Sequence, residues 1–294
     1  MATATGNYVS DNSSLANFKQ WAMAISQALA AFGWIPTADS GQVNWSGIAA
    51  VPSNAYVYEV WKANDAQAAT LPIFLRIEYG YSATSPRTRV TVGTGSNGAG
   101  AITGGVISVA PWEITSLETN QGANTFPCFF SGDAGEFRMY LWQSGTVNCG
   151  VVFGIERSKD STGSKTTDYF TVLSANSSNP SNATFQQSVL SSSLVANRES
   201  GIIGLGLTNA PGTGLFNGTV LAAPVFPILG KVGNPMLGFA VCEAADVFDG
   251  ATITVAAMYG GTHTYVAANR TNFGSGSGTR TANGAVMAIL MRYE

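Results

Sequence analysis

Only one stretch of this chain keeps a helical period, and nearly everything after it alternates. Leu15, Phe18, Ala22, Ile25, Leu29 and Phe32 recur at steps of three and four residues, which places them on one helical face. Asp11 to Ser14 offer capping side chains, Gly33 stands where a C′ glycine belongs, and Pro36 blocks any continuation. The spacing predicts an amphipathic helix over about 12–32. Lys19 is its sole charge, so the helix is expected to be buried on more than one side.

Beyond it the pattern is β. Tyr56–Trp61, Ile73–Tyr81, Arg87–Val92, Phe126–Phe130, Phe137–Trp142, Cys149–Glu156 and Tyr169–Leu173 read as strands. Gly201–Leu207, Val220–Leu229, Gly238–Cys242, Thr252–Met258 and Ala285–Tyr293 follow. Ser131–Glu136 reads as a hairpin loop and Lys159–Thr167 as a polar loop. Ser174–Asn197 and Asn269–Gly284 read as irregular. In the second strand Leu75 and Ile77 should face one way, Arg76 and Glu78 the other. Short strands between Gly, Asn and Pro clusters, with no fixed repeat, predict a mainly β fold: antiparallel sandwich or barrel-like sheets with one N-terminal amphipathic helix. The expected division is residues 1–54, a helix and connecting arm, and residues 55–294, a β-rich body with 174–200 as the place where it would split in two.

Composition narrows the function classes. Charged residues make up 11% of the 294, against roughly 25% in ordinary soluble domains. A surface so poor in charge is built from Ser, Thr, Asn, Gln and Gly, or is hidden against other chains. An apolar fraction of 45% with net charge −3 argues against disorder. The absence of a basic excess argues against direct nucleic-acid binding. No apolar run reaches the ~18 residues of a spanning helix, so no membrane insertion is expected. No basic stretch leading into an apolar core opens the chain, which predicts no Sec-type signal.

Reactive motifs are weak. Gly93–Gly98 has the letters GxGxxG, but the glycine-rich run that follows cannot open the helix a dinucleotide needs, so a hairpin turn is expected. His263 is the one histidine and reads as a loop residue; without His/Cys clusters no metal site is expected. Asp133 with Glu136, and Glu113 with Glu118, are the candidate carboxylate pairs for glycan hydrolysis, and both read as solvated loop charges. Asp65 and Asp133–Glu136 lack a cation-loop pattern. Gly230-Lys231 lacks the P-loop context. No catalytic residue, cofactor or metal is assigned. Cys128, Cys149 and Cys242 read as free thiols of a reduced compartment, with a Cys128–Cys149 pairing on neighbouring strands left open.

The aromatic residues Trp34, Trp45, Tyr56, Tyr58 and Trp61 crowd together in sequence. Most are expected in a core where the helix meets the first sheet. As a functional group, together with Phe273 in the glycine-rich 273–284 stretch, they are the candidate interface or glycan-stacking residues.

One resemblance emerges from the order of motifs. Tyr56-Val-Tyr58-Glu-Val-Trp61, then Asn64-Asp65, then Phe74-Leu75-Arg76-Ile77-Glu78-Tyr79-Gly80, then Thr91-Val92-Gly93-Thr94-Gly95 with Gly98, Gly100 and Gly104, is similar to tailed-bacteriophage virion structural proteins. The ending Met291–Glu294 and the Phe18–Trp34 helix are similar too. The pattern spans about a third of the chain and brings no catalytic residue. It implies a structural homo-oligomer of the tail, neck or baseplate, assembled in the host cytoplasm and located in the virion. Its implied partners are copies of itself and other virion proteins. The alternatives are a host-receptor or glycan-binding tail protein and a head decoration (cement) protein.

Overall fold

A computed structural model describes residues 1–10, 14–52, 55–82, 85–113, 124–143, 149–177, 183–191, 197–200, 223–225, 236–243, 250–256, 261–269 and 287–294. The fold is mainly β, with antiparallel sheets and one helix near the N-terminus. Among the described residues no barrel closes.

Three larger sheets carry the structure. The first joins β1 (Ala2–Ser10), β9 (Asn124–Asp133), β10 (Glu136–Gln143), β11 (Cys149–Lys159), β12 (Lys165–Ser177), β13 (Ala183–Leu190) and β14 (Asn197–Ser200) in that order. The second runs β2 (Ile35–Pro36), β3 (Tyr56–Lys62), β4 (Phe74–Ser82), β5 (Ser85–Gly93) and β8 (Ile107–Glu113). The third runs β15 (Ala223–Val225), β16 (Met236–Glu243), β19 (Met287–Arg292), β18 (Thr262–Asn269) and β17 (Thr252–Ala256). A ribbon of β6 (Gly95–Ser96) and β7 (Ile102–Thr103) completes the set.

Helix α1 spans Leu15–Ala31, capped by the Ser14 hydroxyl on the Asn17 amide at 3.2 Å. Gly33 has φ +93°, as a C′ residue requires. Phe18, Ala22, Ile25 and Leu29 are buried as the spacing predicts, and so are Trp21, Ala24 and Ala28. The helix is therefore covered on more than one side, because it lies between two sheets. Trp21 and Phe18 meet Tyr79 and Trp45 over the five-stranded sheet, while Phe32 meets Phe137 of the seven-stranded one. One continuous core joins the helix, Leu75, Ile77, Tyr79, Val90 and Val92, and Phe130, Phe137, Phe153 and Phe170.

The opposite face of the seven-stranded sheet meets the third sheet. Phe239 of β16 lies on Gly154, where a Cβ would overlap its ring. The Ser131 hydroxyl donates to the Arg292 carbonyl, and Phe129 stands edge-on to Tyr293. The seven-stranded sheet is thus the middle layer.

Several expectations change. β9 runs to Asp133 and β10 resumes at Glu136, so the hairpin loop shrinks to Ala134 and Gly135. Gly132 is a strand residue whose missing side chain admits the Phe32 ring. The described residues of Ser174–Asn197 are nearly all strand, because β12 and β13 pair through Ser177 and Ala183. Pairing with a neighbour outweighs the weak intrinsic preference of Ser, Asn and Gln. The polar loop contracts to the turn between Lys159 and Lys165. β1 and β8 are strands that the residue pattern does not predict. Gly201–Leu207, nearly all of Asn269–Gly284 and most of Val220–Leu229 lie outside the described residues.

Candidate functional site

The structure separates the candidate aromatic residues. Trp34 and Trp61 are core residues, and the Trp34 indole donates to the Asp133 carbonyl at 2.9 Å. Trp45 is half-buried, donating to Glu59 Oε1 at 2.9 Å, with its ring 5.5 Å from Tyr79. The Tyr79 and Ser26 hydroxyls hold the other oxygen of Glu59. Tyr56 and Tyr58 lie on the outer face of the five-stranded sheet, away from the helix. Phe273 lies outside the described residues.

That outer face follows from strand alternation. Leu75, Ile77 and Tyr79 point into the core, so Phe74, Arg76 and Glu78 point out. Tyr58 pairs across with Glu78, Val60 with Arg76, and Glu78 with Arg89. Arg76 lies over the Tyr58 ring at 4.0 Å, bonds Glu78 at 3.0 Å, and donates to the Gly100 carbonyl at 2.9 Å. Arg89 lies over the Tyr56 ring at 3.8 Å, and Lys62 stands 5.7 Å from Phe74.

The glycine-rich run folds back over this face as the β6–β7 ribbon. The letters GxGxxG are thus a hairpin with no helix behind them. Gly98 and Gly100 have φ of +77° and +85°. A Cβ on Gly100 would overlap the Tyr58 ring, so the ribbon reaches its seat only with glycine there. Asp39 pins the ribbon by accepting from the Ser96 hydroxyl and from the Gly100 amide at 2.9 Å. Burial works against its charge, but these bonds together with Thr37 hold its carboxyl below the ordinary value. The Tyr58 hydroxyl donates to the Ser40 carbonyl at 2.7 Å. Both tyrosine rings therefore carry a guanidinium on one face. Tyrosine and arginine side by side are the chemistry of a protein interface.

A second ionisable group lies between the middle and third layers, where the sequence suggested solvated charges. Glu136, Arg138, Glu156 and Lys159 are all buried. Arg138 bonds Glu136 at 2.6 Å and stands 3.4 Å from Glu156, and Lys159 bonds Glu136. Glu156 accepts the backbone amides of Leu237 and Gly238 at 2.6 and 2.8 Å. Asp133 is not free either, for Lys165 holds it. Burial alone would raise the Glu136 carboxyl, but Arg138, Lys159 and Lys165 hold it down at about 2. A register shift between Arg157 and Lys159 turns Lys159 onto the Glu136 side. The available sequence signal was the alternation of Glu136, Arg138 and Tyr140 with Phe137, Met139 and Leu141, which reads as a two-faced strand.

Other readings also shift. His263 sits in β18 opposite Val255, where burial, with Arg292 adding to it, lowers its pKa. Cys128 is a buried free thiol whose pKa burial raises, and β10 separates it from the strand of Cys149. Two strand spacings, roughly 10 Å, exceed the ~7 Å that a disulfide spans. Among the described residues no group of three His, Cys, Asp or Glu could hold a metal, and no helix is long and apolar enough to cross a membrane. Compared with protein-family models, curated proteins and solved structures, the chain matches none.

Proposed function

We propose that this chain is a non-enzymatic structural subunit of a tailed-bacteriophage virion. It assembles as a homo-oligomer in the tail, neck or baseplate region. The observation that carries the reading is where the resembling residues fall. Tyr58, Arg76, Gly93 and Gly100 build one scaffold, the five-stranded sheet with its ribbon folded back. Their roles are packing and turn geometry, which is what a recurring structural pattern without a reactive site requires.

The charge-poor composition supports the same reading, since surfaces hidden in permanent assemblies are more apolar than open ones. The partners are then copies of the chain and neighbouring virion proteins, met in the host cytoplasm during assembly. Negative-stain imaging of the purified protein tests this. A closed ring or trimer of defined symmetry is the expected result, and single particles of monomer size at high concentration would overturn it.

A further inference from the structure

Among the described residues six strands end the three large sheets, and four of them are guarded against pairing with another chain. β14 carries Arg198 and Glu199, β15 carries Pro224, β2 carries Pro36, and β8 carries Pro111 and Glu113. Charge and proline on an edge strand refuse a further strand. β1 and β17 carry neither. Their pairing with β9 and β18 runs without a bulge over nine and five residues. These two edges also share one flank. β16 lies on β11 and β19 on β10, and the Ser131 hydroxyl of β9 reaches Arg292 of β19. The order β16-β19-β18-β17 therefore runs over β11-β10-β9-β1 in the same direction. On each edge two exposed threonines flank one less exposed residue, in Thr3-Ala4-Thr5 and in Thr252-Ile253-Thr254.

We infer that this flank is a two-fold interface, where β1 pairs antiparallel with β1 of a second copy and β17 with that copy's β17. This inference rests on the homo-oligomer reading above. A partner on this flank must present two strands at the spacing of two stacked sheets, roughly 10 Å. A second copy turned about an axis normal to the sheets does so by symmetry and carries both layers through the pair. In the register centred on Ala4, Thr3 faces the second copy's Thr5, and Ala4 faces Ala4. In the register centred on Ile253, Thr252 faces the second copy's Thr254. Threonines opposed across strands hydrogen-bond, and neither edge sets a charge against its like. The contact closes on itself, and in a larger closed assembly it joins rings in pairs.

Sedimentation velocity and oxidative cross-linking of the full chain test the inference, with circular dichroism confirming each variant's fold. The wild type is expected to be oligomeric. Thr3→Lys with Thr5→Lys, and separately Thr252→Lys with Thr254→Lys, set lysine against lysine at exposed positions. Each double variant should raise the dissociation constant at least about thirtyfold. Ala4→Cys should gain a disulfide between the substituted positions of two copies, since directly opposed residues lie about 4.5–5.5 Å apart, within disulfide reach. If a lysine variant does not fold, this bridge, located by mass spectrometry, decides. An oligomeric wild type whose lysine variants assemble unchanged, or whose Ala4→Cys variant fails to bridge at that position, overturns this inference and leaves the homo-oligomer reading standing. A wild type that stays monomeric overturns both. Open-ended growth in sedimentation overturns the two-fold contact, which admits one partner on this flank.

Discussion

Arg157 holds Asp65 through two hydrogen bonds, Nε to Oδ2 at 2.5 Å and Nη2 to Oδ1 at 2.7 Å, across 92 positions of sequence. Asp65 leads into the short turn Ala66–Ala69 between β3 and β4, and Arg157 stands on β11. A third bond runs from Arg157 to the Leu71 carbonyl at 2.9 Å, and the Asn64 amide reaches Ala134 at 2.7 Å. The Asn-Asp turn of the resembling pattern is therefore the clamp between the five-stranded and seven-stranded sheets. Asp65→Ala leaves a buried guanidinium without its counter-charge. The expected loss is about 3–5 kcal/mol in denaturant unfolding; a loss below ~1 kcal/mol would remove Arg157 from this role.

Acid should unfold the protein partly through Glu136. Its folded carboxyl is held at about 2, against an ordinary 4.5. The unfolded chain takes up this proton first, so the stabilisation is complete above the unfolded pKa. It is lost as pH falls from there through the folded value. The gap corresponds to about 3 kcal/mol. Unfolding free energy measured from pH 7 to pH 2 should fall across that window. Glu136→Gln should flatten the slope by about one proton, and an unchanged slope would contradict the assignment.

Gly238 marks the seam between the middle and third layers. A Cβ there would overlap Arg138 Nε and crowd Glu156 Oε2 at 2.5 Å, disturbing the carboxylate that holds the Leu237 and Gly238 amides. Gly238→Ala should cost about 1–3 kcal/mol, as overpacking does. Hydrogen exchange at Leu237 should accelerate while exchange in the five-stranded sheet stays as it was.

Two glycines of the ribbon separate strain from collision. Both have positive φ, but a Cβ on Gly98 meets nothing within 4 Å, whereas one on Gly100 strikes Tyr58. Gly98→Ala should cost about 1–2 kcal/mol, the backbone penalty alone. Gly100→Ala should cost at least about 1 kcal/mol more and lift the ribbon from Tyr58. Thermal unfolding of the two variants checks the order; equal losses would deny the close approach.

Much of the fold was legible because local pattern and burial agree in it. The α1 spacing, the Leu75/Ile77 against Arg76/Glu78 alternation and the Gly93–Gly98 hairpin all sit where the residues predicted them. The elements that the pattern does not predict depend on partners distant in sequence. β1 becomes a strand because β9 lies beside it, and β13 because β12 does. Glu136 looks like a loop charge until the third sheet covers it. Tyr56 and Tyr58 resembled the nearby tryptophans in sequence, and only the side of the sheet they occupy sets them apart.

The proposed virion role requires this chain to be built into a phage particle. Quantitative mass spectrometry of gradient-purified particles, from the lysate in which the chain is made, measures that directly. The chain should co-purify with intact particles at a fixed, multi-copy ratio to their major structural proteins. Finding it abundant in the lysate but absent from the particles would contradict it.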